Sequence, residues 1–252
     1  MPTTTVTVLG ARLHVVDDGN PAHPPVLLLH AGIVDLAAWD DLVPLLVAAD
    51  YRVVRFDARG YGRTITEAVD FSNQDDAIAI LDQLGIGRAA LVGNSRGGQI
   101  AFDTAIAYPD RVVAVVGVGA GFGGFEGQST PEEMATYART EALEERLAEV
   151  SPAVDPAALN ELLELEVRFW VNSPGQPTDR VASAVRERVR AMDHASYVPD
   201  RVQARPIPLD PPAADRIADL RCPCWPSPES WTHWTLRRRP DTWPPPPPMR
   251  VL

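Results

Sequence analysis

Leu91-Val92-Gly93-Asn94-Ser95-Arg96-Gly97-Gly98 is the stretch from which this 252-residue chain can be read. It contains Gly-x-Ser-x-Gly. Arg88-Ala89-Ala90-Leu91-Val92 leads into it as a short apolar run, and Gln99-Ile100-Ala101-Phe102 leaves it as a small-residue helical run. Strand, tight turn and helix in that order make the motif a nucleophile elbow. The turn has no room for side chains at Gly93 and Gly97, and the serine must accept strained backbone angles. Its hydroxyl then stands clear of the sheet at a helix N-terminus, which favours developing negative charge.

Working outward, Val6-Thr7-Val8 and Arg12 to Val16 alternate around Leu9-Gly10-Ala11 and read as a hairpin. Val26-Leu27-Leu28-Leu29-His30, Arg52 to Phe56 and Val112 to Val116 are continuous apolar strands, the pattern of a sheet buried on both faces. A helix is expected around Trp39 to Leu46. Another starts at Ser72, an N-cap with Asp75 in the first turn, and carries the stripe Ala77, Ile80, Leu81, Leu84. Strands alternating with helices predict a mostly parallel α/β sheet flanked by helices, with Ser95 at a strand's carboxyl end where such sheets bind ligands.

From Gly121 to about Asp200 only helices are expected. Thr130-Pro131-Glu132-Glu133 is a capping box with Pro at the first helical position. Asp155-Pro156 starts a second helix with the stripe Leu159, Leu162, Leu163, Val167, Trp170, Val171, and a third covers about Asp179 to Met192. The divisions are thus a core at 1–122, a helical cap over the serine at 123–202, a return to the core at 203–223, and a disordered Pro/Trp/Arg-rich tail at 224–252.

Composition narrows the function. The net charge of −11 argues against nucleic acid and anionic membranes as partners. No apolar run reaches the ~20 residues of a membrane span. Met1-Pro2-Thr3-Thr4-Thr5 has neither the basic nor the apolar part of a secretion signal. Cys222 and Cys224 are too close for an ordinary structural disulfide and lack companions for zinc. A cytoplasmic protein acting on a small molecule is expected, with its oligomeric state open.

Leu27-Leu28-Leu29-His30-Ala31-Gly32, Asp57-Ala58-Arg59-Gly60-Tyr61-Gly62, the Ser95 motif and Tyr108-Pro109-Asp110-Arg111-Val112 follow one another in an order and spacing that resembles the alpha/beta-hydrolase superfamily, in its cap-bearing group of lactone and ester hydrolases. The resemblance covers about residues 1 to 222. It implies an alpha/beta-hydrolase fold with an inserted helical cap, and Ser95 as catalytic nucleophile. It places the oxyanion hole at the backbone N–H of Arg96 and a second N–H after His30, at Gly32 with Ile33 as the alternative. It makes His30 and Asp57 structural rather than catalytic. The Arg96 side chain either meets a substrate carboxylate or is solvated. Ile33, Trp39 and Trp170 are candidates for the substrate pocket, with a plain core role open for the two tryptophans. The implied activity is a serine hydrolase cleaving an ester or lactone of a small acyl compound through an acyl-enzyme, with no metal or organic cofactor. A C–C bond hydrolase or a cofactor-free perhydrolase would share these motifs, and a non-catalytic pseudoenzyme is the reading from another class.

The last part departs from that pattern. The family's acid follows the strand after the cap, and its histidine follows the next strand. Ala213 to Pro223 matches the approach to the acid-bearing strand, but Cys224-Trp225-Pro226-Ser227-Pro228 does not continue it, because proline is excluded from a central strand. The last strands therefore look missing, and His233 has no strand before it. Four of the six tryptophans fall here, beside Pro244 to Pro248. The genetic code suggests a cause. Joining the third base of each codon to the first two of the next turns Cys224-Trp225 into Leu, Trp225-Pro226 into Ala, and Trp231-Thr232 into Asp. The shifted frame can read Val-Leu-Ala-Val-Thr-Gly-Glu-Leu-Asp from Pro223 on, an apolar strand ending in Gly-x-x-Asp. The expectation is that the tail is out of frame.

Overall fold

The computed structural model describes residues 3–125, 130–150, 155–197 and 204–225. The chain opens with β1 (Thr3–Val8) and β2 (Ala11–Asp18), an antiparallel hairpin with Gly10 at φ +63° in its turn. β3 (Pro25–Leu29), a 3₁₀ turn at Leu36–Trp39, α1 (Val43–Ala48) and β4 (Arg52–Phe56) follow. The helix expected around Trp39 to Leu46 is thus split, and Pro44 near the start of α1 suits a new helical first turn. After the short β5 (Ile65–Thr66) and β6 (Asp70–Phe71), Ser72 caps α2 (Asn73–Gln83) by accepting from the Asp75 N–H at 3.1 Å. Then come β7 (Ala89–Asn94), α3 (Arg96–Ala107) and β8 (Val112–Val118).

The main sheet has the order β1-β2-β4-β3-β7-β8-β10, where β10 is Cys224–Trp225 and β5 pairs with β2. β1, β2 and β5 run antiparallel to their neighbours, and the rest is parallel. Side-chain alternation divides the core between the two faces. Leu27, Leu29, Val54 and Leu91 face α2 and α3 and join Ile80, Leu81, Ile100 and Phe102 in one cluster. Val26, Leu28 and Val53 point the other way, onto Val43 and Trp39. On that second face Ala90, Val92, Ala114 and Val116 are only half-buried and Val118 is 45% exposed.

The cap follows β8. α4 (Pro131–Val150) starts with the expected capping box: Glu133 N–H donates to Thr130 Oγ1 at 3.2 Å, and Thr130 N–H donates to the Glu133 carboxylate at 2.6 Å. α5 (Pro156–Glu166) is capped by Asp155, which accepts from Ala158 N–H at 3.0 Å. Leu159, Leu162 and Leu163 bury against Leu143 and Leu147 of α4. α5 runs into a π-helical turn at Val167–Val171, and α6 (Ser183–Ser196) completes the cap. β9 (Arg205–Pro206) returns to the core beside β6.

One expectation is corrected. The strand after Pro223 does begin: Cys224 and Trp225 pair in parallel with Val115 and Val116 of β8, and Cys224 is buried in the main core. The tail from 226 to 252, with its expected disorder and His233, lies outside the described residues. Among the described residues no helix is long and apolar enough to cross a membrane.

Candidate active site

The elbow is built as its glycines require. Ser95 sits between β7 and α3 at φ +48°, ψ −118°, a region that non-glycine residues rarely occupy. Its N–H donates to Val118 O at 2.8 Å, and its carbonyl accepts from Gly98 and Gln99. A Cβ on Gly93 would lie 2.2 Å from Gly97 O, and one on Gly97 would lie 2.2 Å from Leu29 O. Any side chain there would push α3 off the ends of β3 and β7.

The loop after β3 comes to the start of α3. A Cβ on Gly32 would be 3.9 Å from Arg96 Cδ and 3.8 Å from the Tyr61 hydroxyl. Among the described residues, the amides of Gly32, Ile33 and Arg96 donate to no protein acceptor. One such N–H at the start of α3 and two in the loop after β3 are what an oxyanion would use. Two buried side chains hold the loop. His30 Nδ1–H donates to Ala31 O at 2.8 Å, and its Nε2 accepts from Ala58 N–H at 3.0 Å. Asp57 accepts from Leu36 N–H at 2.9 Å and from Arg63 N–H at 2.8 Å, although burial raises its pKa. Both residues thus act as braces.

The Arg96 side chain is half-buried rather than fully solvated. Its Nη2 donates to Asn73 Oδ1 at 3.1 Å, and its guanidinium lies 5.3 Å from the Tyr61 ring centre, so it turns toward α2. Ile33 is half-buried in the loop. Trp39 packs on Val26, Leu28, Val43 and Val53, on the face of the sheet away from α3. Trp170 is 49% exposed and meets Phe169 edge to face at 4.7 Å and Tyr137 at 5.8 Å.

The cap leans on the segment after the Gly32 loop. Arg188 of α6 donates to Ala37 O and to Asp41 at 3.0 Å. It also reaches Asp40, which pairs with the buried Arg55. Inside the cap, Glu166 (6% exposed) and Asp193 (1% exposed) bring two carboxyl groups together. Burial and then Asp193 push Glu166 up to about 9, and burial pushes Asp193 up to about 6. Tyr197 OH donates to Glu144 at 3.4 Å beside them. Sequence reasoning missed this pair.

Among the described residues no side chain hydrogen-bonds the Ser95 hydroxyl. His23 faces Asp50 at 3.9 Å and His194 lies in the last turn of α6.

The chain belongs to the alpha/beta hydrolase family: the family model for the alpha/beta hydrolase fold matches residues 24–191. Within that family it is similar to epoxide hydrolase B of Mycobacterium tuberculosis, 36% identical over 122 residues, which are 46% of this chain and 34% of the relative. It is also similar to a putative 2-succinyl-6-hydroxy-2,4-cyclohexadiene-1-carboxylate synthase of Bacillus subtilis, 29% identical over 76% of this chain and 66% of the relative. The enol-lactonase of Burkholderia xenovorans LB400 shares the fold, with a TM-score of 0.61 at 20% identity over 88% of this chain and 79% of that one. The chain spans about a third of the length of the epoxide hydrolase it matches.

Proposed function

We propose that the fold carries a serine hydrolase site for an ester or lactone of a small acyl compound. The observation that carries this reading is Ser95 at φ +48° on the tip of β7, at the start of α3 where, among the described residues, the amides of Arg96, Gly32 and Ile33 have no protein acceptor. In the proposed reaction Ser95 Oγ attacks the carbonyl carbon while its proton passes to a base. The carbonyl oxygen, now an oxyanion, is held by the Arg96 N–H and the N–H of Gly32 or Ile33. Collapse expels the alcohol oxygen with that proton and leaves an acyl-enzyme. Water then releases the acid and restores the serine. Ile33 and Trp170 are proposed to border the acyl group. The base and its orienting acid belong to the sequence that a restored frame after Pro223 would encode.

The relatives support a hydrolase more broadly than an esterase. A similar protein of Burkholderia vietnamiensis, 37% identical over 45% of this chain and 41% of its own length, is a 2-hydroxy-6-oxononadienedioate hydrolase. C–C bond hydrolysis is therefore the second enzymatic reading. A non-catalytic pseudoenzyme is the reading from another class. A fluorophosphonate probe decides: it should label the frame-restored protein, and Ser95→Ala should remove the label. Labelling that survives Ser95→Ala would sink the assignment.

A further inference from the structure

Two guanidinium groups dock side by side on the first turn of α2. Arg59 makes a two-pronged contact with Asp76, Nε to Oδ2 at 2.7 Å and Nη2 to Oδ1 at 2.9 Å. Arg96 Nη2 donates to Asn73 at 3.1 Å. Asn73 and Asp76 are three residues apart on a helix, so their side chains leave one face about 5–6 Å from each other. Each arginine keeps its Nη1 buried and without a protein acceptor. Arg59 is only 5% exposed, with its guanidinium 4.5 Å from the Phe71 ring centre.

Both arginines line one small crevice, together with His30, Asn73, Asp76 and Ile100. Ser95 is not part of its lining. The charges in its wall do not cancel. Asp76 is the one carboxylate there and is already engaged by Arg59. Arg96 has a neutral amide oxygen and an aromatic ring as partners. His30, accepting a hydrogen bond at Nε2, is neutral and adds no charge. The first turn of α2 adds the positive end of a helix dipole. A neutral water could accept from these N–H groups, but it would leave the half-buried Arg96 guanidinium, whose Nη1 is fully buried, without a counter-charge.

We propose that this crevice is a binding site for one monovalent anion of halide size, held between Nη1 of Arg59 and Nη1 of Arg96. The site lies behind the elbow and goes beyond the hydrolase reading. Its occupant would fix the side chain of the residue whose amide is the proposed oxyanion donor.

The test uses the 252-residue chain with chloride replacing gluconate at constant ionic strength. The melting temperature should rise with the logarithm of the chloride concentration once that exceeds the dissociation constant, by about 3–6 °C at ten times that constant. Bromide should reproduce the rise, the larger sulfate should not, and Arg96→Met should abolish it. An equal rise with every anion, or a full rise in Arg96→Met, would overturn the proposal. Should Arg96→Met fail to melt cooperatively, ³⁵Cl line broadening by the unmodified chain decides. Broadening that saturates and is displaced by bromide supports the site, and broadening that grows without saturation overturns it.

Discussion

The Ala58 amide donates to His30 Nε2 at 3.0 Å across the ends of β3 and β4. With Nδ1–H given to Ala31 O, both ring nitrogens are committed and the imidazole is the neutral Nδ1–H tautomer. A ring held this way cannot take a proton from Ser95. His30→Ala would leave the Ala58 N–H buried without an acceptor and open a gap in the loop that presents Gly32. The expected cost is about 2–4 kcal/mol of unfolding free energy, read from urea melts. A loss below about 0.5 kcal/mol would show that the brace is dispensable.

The elbow stores strain that a substitution can release. Ser95 at φ +48°, ψ −118° is in a region that costs about 1–3 kcal/mol for a residue with a Cβ. Ser95→Gly should therefore be more stable than Ser95→Ala by about 1 kcal/mol, after the glycine's greater unfolded-state freedom is subtracted. Gly97→Ala should go the other way by about 3 kcal/mol or more, because its Cβ would meet backbone atoms of Leu29 and His30. Thermal melts of the three variants give the order directly.

The cap should be sensitive to alkali. Glu166 and Asp193 titrate higher in the folded chain than in the unfolded one, chiefly because they are buried. Groups raised in this way stabilise fully below the unfolded carboxylate range and lose that stabilisation as pH rises through the folded values. The facing groups are Glu144 from α4, Arg190 on α6, and Tyr197 just after it. Stability should fall by about 2–4 kcal/mol between pH 6 and pH 9. Glu166→Gln, which cannot ionise, should flatten most of that slope. An unchanged slope in Glu166→Gln would assign the effect to other groups.

The two candidate tryptophans should separate. Trp39 belongs to the apolar cluster under β3 and β4, so Trp39→Ala should cost about 3–5 kcal/mol. Trp170 is half exposed on the π-helical turn and touches only other cap aromatics among its ring contacts, so Trp170→Ala should cost about 1 kcal/mol. If Trp170 borders the acyl group, relative rates across acyl chain lengths change in the frame-restored enzyme. A uniform fall for all chain lengths would remove it from the pocket.

What the sequence showed follows from the range of its interactions. The elbow, the Ser72 and Asp155 caps, and the Thr130 and Glu133 box are local, fixed by residues three or four apart. Continuous runs such as Val26 to Leu29 announced strands buried on both faces. Arg96 was ambiguous because its partners, Asn73 and Tyr61, are brought to it only by the packing of α2 and the β4 loop. The Glu166 and Asp193 pair was invisible because each reads alone as an ordinary helix acid. The break in the helix before α1 came from Asp35, whose side chain accepts from Ala37 N–H at 2.8 Å and caps a separate turn.

The end of the sheet carries the last prediction. β10 starts in register, Cys224 opposite Val115 and Trp225 opposite Val116, and Cys224 fills a core position at 4% exposure. The shifted frame forces Leu and then Ala from these codons, residues suited to a buried strand, where the chain as written meets Pro226. The neighbouring face agrees. Val26, Leu28 and Val53 are covered by α1 and Trp39, while Val92, Ala114 and Val116 stay half-buried and Val118 exposed among the described residues. Parallel strands are normally covered on both faces, so this strip suits a helix that would follow further strands. On this proposal, restoring the frame after Pro223 supplies the rest of β10, the acid, the histidine and that covering helix. The restored protein should melt higher than the 252-residue chain and hydrolyse p-nitrophenyl acetate through Ser95. The 252-residue chain should show no hydrolysis above its Ser95→Ala control, since a serine without its base keeps only residual catalysis. Ser95-dependent turnover by the 252-residue chain would refute the proposal and point to a base within it.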